Sequence, residues 1–166
     1  MPDRNLLFTP LRAGELELPN RVVMAAISRG RVADPGVPTA LAALYYGQRA
    51  AAGLVTSEAI HPEPAGRGAT RSAGIHTAAQ QAAWQRVVGA VHGIRGRIVA
   101  QLLHAGRLGN AALLPPGERL VGPSARRAPG GPWRPGCGET WDLPEELTTD
   151  GIASVIAGYA AAAVAA

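Results

Sequence analysis

Two β-branched runs in this chain each begin where a helical pattern ends, and that spacing constrains the fold more than any other feature. The stretch "TALAALYYGQRAAAG" carries Leu41, Leu44 and Tyr45 at helical spacing, with Thr39 after Pro38 as N-cap and Gly53 as C-terminal stop. "LVTSEA", Leu54 to Ala59, follows at once. A second helical pattern, "AAQQAAWQRVVGAVHGI", starts after Thr77 with Trp84, Val87, Val88 and Val91 as its apolar face, and "RIVAQLL" begins directly after Gly96. Strands that follow helices with so little linker are parallel strands returning from crossovers. Ahead of them, a small hairpin turning at Arg12-Ala13-Gly14 leads into "RVVMAA", a strand from Arg21 to Ala26. The predicted order is strand, helix, strand, helix, strand. A long Pro/Gly-rich loop then reaches Thr148 and a last helix, Thr149 to Ala166, with Ile152, Val155, Ile156 and Tyr159 at helical spacing.

This alternation defines an α/β fold with helices outside a parallel sheet, either doubly wound or a (β/α) barrel. No strand is followed by G-x-G-x-x-G or G-x-x-x-x-G-K-[ST], the loops that cradle nucleotide phosphates, so a barrel is favoured. The 166 residues suffice for one ordinary domain. Three strands and three helices alone, however, would leave a sheet edge and a sheet face uncovered.

The sixteen basic residues are all arginines, scattered from Arg4 to Arg134, and form neither a dense stripe nor an aromatic-interleaved one; nucleic-acid binding is not expected. One cysteine, Cys137, can form no internal disulfide and has no partners at zinc-ligand spacing, so no metal site is expected and a reducing, cytoplasmic location fits. The N-terminus lacks the apolar core of a secretory signal. "GIASVIAGYAAAAVAA" at the other end is apolar but shorter than the roughly 18 to 20 residues that span a bilayer, so no membrane partner is expected.

Polar residues collect at the carboxyl ends of the proposed strands: Ser28 after the first, Ser57 and Glu58 near the end of the second, Gln101 and His104 at the third. In parallel α/β folds that edge is where ligands bind. The residues alone leave alternatives open. Gln101 fits a polar group satisfied by neighbouring backbone, His104 a loop-packing histidine, and Glu58 a buried acid paired with an arginine from a neighbouring element. No Ser-His-Asp triad can be assigned from spacing.

At these same positions the chain resembles the old yellow enzyme family of FMN-dependent NAD(P)H oxidoreductases. "LFTPLRAGELELPNRVVMAAISRGR" is similar to the family's opening hairpin and first strand. "YYGQRAAAGLVTSEAIHPEPAGRG" is similar to its first helix, second strand and following loop. "GIHTAAQQAAWQRVVGAVHGIRGRIVAQLLHAGR" resembles the next helix and strand with the family's Q-L-x-H-x-G-R ending, and "GPSA" and "ELTTDGIASVIAGYAAAA" resemble the next loop and helix.

The resemblance implies a (β/α)8 TIM barrel of which residues 1–166 are the N-terminal portion of one FMN-binding domain, the hairpin and first three βα units, ending before the fourth strand. It implies hydride transfer from NAD(P)H through FMN to an activated alkene such as an enone. Ala26, Ile27 and Ser28 would lie against the isoalloxazine, with Ser28 where relatives carry Thr or Cys. Ala59 would meet the flavin through its backbone, and Gln101 would hydrogen-bond the pyrimidine edge of the ring. His104 and Arg107 match the motif as organisers of the loop. The His/Asn pair and Tyr that serve the substrate in the family are expected beyond residue 166, so no catalytic residue is expected here, and the isolated chain is expected to be inactive. A non-catalytic half-barrel or split-protein piece needing a partner chain is the alternative, and self-association of the incomplete barrel is a further expectation.

Overall fold

The structure, a computed structural model, describes residues 4–131 and 140–166; Cys137 lies outside the described residues. After a 3-10 turn at Arg4–Phe8, strands β1 (Leu11–Ala13) and β2 (Leu16–Leu18) form an antiparallel hairpin in which Leu11 faces Leu18. Its turn is carried by Gly14 at φ +62°, a left-handed conformation that glycine adopts without steric cost. Next come β3 (Val23–Met24), α1 (Ala40–Gly47), β4 (Leu54–His61), β5 (Ala73–Gly74), α2 (Ala78–His92) and β6 (Ile98–Leu102). Short strands β7 (Val121–Gly122) and β8 (Glu145–Glu146) precede α3 (Thr149–Ala165).

The central strand is β4, paired in parallel with β3 through Val23↔Leu54 and with β6 through Val55↔Ile98. The expected strand, helix, strand, helix, strand order is therefore present, with all three strands parallel. The short β5 adds to the carboxyl end of β4 at Ile60↔Ala73. Residues 121–122 and 145–146, read from sequence as part of one long loop, pair in parallel and so tie its two ends together.

Helix α2 begins at a complete capping box: the Thr77 hydroxyl accepts from the Gln80 N–H, and the Gln80 side chain accepts from the Thr77 N–H. Its buried face, Trp84, Val87 and Val91, meets Tyr46, Val55, Ile60 and Ile75 in the core. The Trp84 indole donates to the Gly74 carbonyl at 3.0 Å, so the largest side chain of the layer is buried with its polar atom satisfied. The Thr148 side chain caps α3, and among the described residues no helix is long and apolar enough to cross a membrane.

Four local expectations are corrected. The β3 ladder holds Val23–Met24 rather than Arg21–Ala26. Past Met24 the chain leaves the ladder, and the Arg29 N–H goes to a Glu58 carboxylate oxygen instead of a strand carbonyl. Helix α1 ends at Gly47, well before Gly53. Gly53 serves a close approach: a Cβ there would lie 2.0 Å from the Asn20 carbonyl oxygen. The face of α1 is also rotated, leaving Leu41 and Leu44 68% and 57% exposed while Ala42 and Tyr46 are buried. The Tyr46 hydroxyl reaches inward to accept the Glu58 N–H at 2.6 Å, and that anchor faces Tyr46 rather than the leucines toward the sheet. Finally, β4 runs to His61, two residues beyond Ala59, and carries a bulge. Thr56 pairs with Val99 and Ala59 with Gln101, so three steps on β4 match two on β6, and both Ser57 and Glu58 are buried.

Candidate functional site

The carboxyl ends of β3, β4 and β6 open onto one cleft of about 600 Å³. Ser28 and Arg29 reach it from the segment after β3, Ala59 and His61 from β4, and Leu103 and His104 from the end of β6. The loop between β4 and β5 closes one side with Gly66, Gly68, Thr70 and Ser72. A parallel sheet delivers residues from separate strands to this edge because every strand points the same way.

The five residues singled out from sequence are distributed as follows. Ser28 and Ala59 line the cleft. Gln101 is exposed on β6 and stands in register with Ala59, one strand over. Ala26 and Ile27 precede Ser28 on the same segment, half-buried and exposed respectively, and are not among the residues lining the cleft. The bulge helps place Gln101, because the Ser57 hydroxyl accepts its backbone N–H at 2.9 Å.

His104 is held as a packing histidine. Its backbone N–H donates to the Tyr159 hydroxyl at 2.9 Å, and its Nδ1 accepts from the Gly106 N–H at 3.0 Å. With Nδ1 an acceptor, the ring proton sits on Nε2, which lies 3.2 Å from the Glu63 carboxylate, in ion-pair range but without hydrogen-bond alignment. Burial lowers the His104 pKa, and Glu63 opposes that shift. His104 thereby ties the β6 end to α3 through its backbone and to the loop after β4 through its ring. Arg107 is exposed in the 3-10 turn Gly106–Leu108.

Two cleft residues were missed in the sequence. His61 is buried, its pKa pushed down to about 4, first by burial and next by His76, whose ring centroid is 5.2 Å away. Its signal was present: His61 lies two positions beyond Ala59 and so on the same face of the strand. Arg29 is the other. Its guanidinium pairs with Glu58 while resting over the rings of Tyr45 and Tyr46 at 4.3 and 4.6 Å. Glu58 is thus a buried acid paired with an arginine from a neighbouring element, one of the readings its sequence position left open.

The cleft's volume lies within the roughly 300 to 1,000 Å³ usual for small-molecule and cofactor sites. Its wall is also built for close approach: a Cβ on Gly68 would come within 2.5 Å of the Ala105 Cβ. At its edge the buried Arg29 Nε has no hydrogen-bond partner among the described residues. Ser28 brings to the cleft a hydroxyl that donates and accepts, whereas Gln101, like Ala26 and Ile27, is not among the residues lining it and is placed only by its register with Ala59. A hydroxyl together with the unpartnered Arg29 Nε–H fits a ligand that carries hydrogen-bond acceptors. Among the described residues no group of three or more His, Cys, Asp or Glu side chains could hold a metal.

A parallel strand and helix array with a cofactor-sized cleft at its carboxyl edge is the architecture of a ligand-binding α/β barrel, of which this chain forms part. It belongs to the NADH:flavin oxidoreductase / NADH oxidase family, the old yellow enzymes, whose family model matches residues 6–166. Among curated relatives, 12-oxophytodienoate reductase 1 of Oryza sativa subsp. japonica is 34% identical over 95% of this chain and 40% of its own length. The probable flavin mononucleotide-dependent alkene reductase of Leishmania infantum is 32% identical over 96% of this chain and 45% of its own. Morphinone reductase, a solved structure, superimposes with a TM-score of 0.87 at 45% identity, covering 96% of this chain and 44% of that one. The chain therefore spans less than half the length of the relatives it matches.

Proposed function

We propose that residues 1–166 form the first three βα units of an eight-unit FMN-binding barrel and supply one wall of its cofactor site. The observation that carries this reading is the meeting of Ser28 and Ala59 in one cleft with Gln101 in register beside Ala59. Backbone groups of Ala26, Ile27 and Ala59 would border the isoalloxazine. The Gln101 carboxamide would donate to a ring carbonyl and accept from a ring N–H. The Ser28 hydroxyl would donate toward the part of the ring that gains charge on reduction, lowering the cost of that charge. FMN, when bound, supplies a hydride relay from NAD(P)H to an activated alkene such as an enone. The substrate-binding residues for that reaction would come from chain beyond these units, so turnover by the 166-residue chain alone is not expected. A cytoplasmic location accompanies this reading.

The test is a fluorescence titration of FMN with the 166-residue chain, followed by desalting and a visible spectrum. Weak saturable quenching is expected, with Gln101→Ala weakening binding by about tenfold, the usual cost of a lost hydrogen bond to a ligand. Identical titrations for the two proteins would remove Gln101 from the site. The second reading, a half-barrel that works only with a partner chain, is favoured by Val23, Ile27 and Leu103, all exposed. It predicts that flavin retention and enone reduction appear only when a chain carrying the remaining units is added.

A further inference from the structure

The segment after β3 reaches the cleft without strand pairing, yet it must hold Ser28 steady if that hydroxyl is to meet a ligand. One side chain grips it. Glu58 takes the Arg29 N–H on Oε2 at 3.3 Å and the Arg29 guanidinium on Oε1, so backbone and side chain of the same residue are bound to one carboxylate. The grip is buried: the side chains of Arg29 and Glu58 are 12% and 1% exposed. Glu58 is itself fixed, since its own N–H donates to the Tyr46 hydroxyl, while the rings of Tyr45 and Tyr46 back the guanidinium. The β4 bulge makes this arrangement available. Without the extra residue, Ser57 and Glu58 would point to opposite faces of the sheet.

We propose that Glu58 is a positioning residue which, through Arg29, sets where Ser28 stands against the ligand in the cleft. The idea rests on the FMN reading for the identity of that ligand, but the grip itself is testable without flavin. A charge-assisted hydrogen bond holds a segment more strongly than a neutral one, and removing the charge while keeping the shape isolates that contribution.

The experiment is hydrogen exchange by mass spectrometry on the unsubstituted chain, Glu58→Gln and Glu58→Asp, each with and without FMN. In Glu58→Gln, amides of residues 25–31 should exchange about tenfold faster while those of α2 stay unchanged, as expected for local opening after loss of one charged hydrogen bond. Wild-type exchange at residues 25–31 in a folded Glu58→Gln protein would overturn the proposal. Should that variant fail to fold, Glu58→Asp decides. It keeps the charge but is one methylene shorter, so faster exchange at residues 25–31 is expected, and wild-type exchange would overturn the idea. With FMN present, both variants should bind more weakly and show a displaced flavin absorbance band. Unaltered binding and spectrum beside faster exchange would also refute the role toward the ligand. An unsubstituted chain that takes up no flavin would count against the cofactor reading and leave the exchange result to decide the positioning role.

Discussion

At His61 the pKa is pushed down to about 4 by burial first and His76 second, whereas the same residue in an unfolded chain titrates near 6.5. The folded state therefore resists a proton that the unfolded state accepts. The stability this contributes is fully present above pH 6.5 and is lost as pH falls toward 4, a change on the order of 3 kcal/mol. His76 and His104 are lowered too, each chiefly by burial, and add slope in the same direction. Urea denaturation at a series of pH values from 4 to 7.5 should show this loss, and His61→Gln should flatten it without abolishing it. A wild-type pH slope in the variant would mean that His61 is not the group responsible. At this scale the sequence was half legible. Ser28 and Gln101 stood out because they follow or sit within apolar strands, and Ala59 only through the family resemblance, whereas the choice of Arg29 as the partner of Glu58 depended on a bulge that no pattern of residue types announces.

Among the elements, the strand and helix alternation was readable because period-2 and period-3.6 apolar patterns differ and the connections were short. Caps were less readable: Thr39, the N-cap read from sequence, makes no side-chain capping bond, whereas Thr77 and Thr148, read only as preceding helices, both accept from the backbone N–H three residues on. The facing of α1 was not readable, because Leu41, Leu44 and Tyr45 gave a plausible stripe, and only the tertiary bond from Glu58 to Tyr46 fixes the rotation. Gly53 shows the same limit, since a glycine after a helix suggests a C-cap whether or not it is one. Here it lets the Asn20 backbone pass against the start of β4, where the Asn20 side chain accepts from Gly53 N–H at 2.7 Å and donates to the Ala51 carbonyl at 2.9 Å. Gly53→Ala should force Asn20 away from β4 and lower stability by about 3 kcal/mol, the upper part of the range for inserting a methyl into a packed site. Thr77→Ala, which removes only a cap, should cost about 1 kcal/mol. Comparable unfolding midpoints for the two variants would argue against the close approach at Gly53.

For the whole molecule, the unfinished part of the structure is the side of the sheet away from the helices. Tyr46, Trp84, Val87 and Val91 seal the helix side, but Val23, Ile27, Val99 and Leu103 are exposed near the sheet and cleft. Among the described residues β6 pairs only with β4, which leaves its second edge without a ladder. An unpaired edge beside exposed apolar side chains favours association with another chain, because pairing satisfies the backbone and covers the apolar surface at once. The 166-residue chain in solution is therefore expected to self-associate with rising concentration and to enhance the fluorescence of a hydrophobic dye. Sedimentation velocity across a micromolar concentration series measures the first, and Val99→Lys with Leu103→Lys should shift the distribution toward monomer while far-UV circular dichroism stays unchanged. A monomer at every concentration, with no dye enhancement, would show that the exposed face is tolerated in water and that the edge of β6 is protected by something other than a partner.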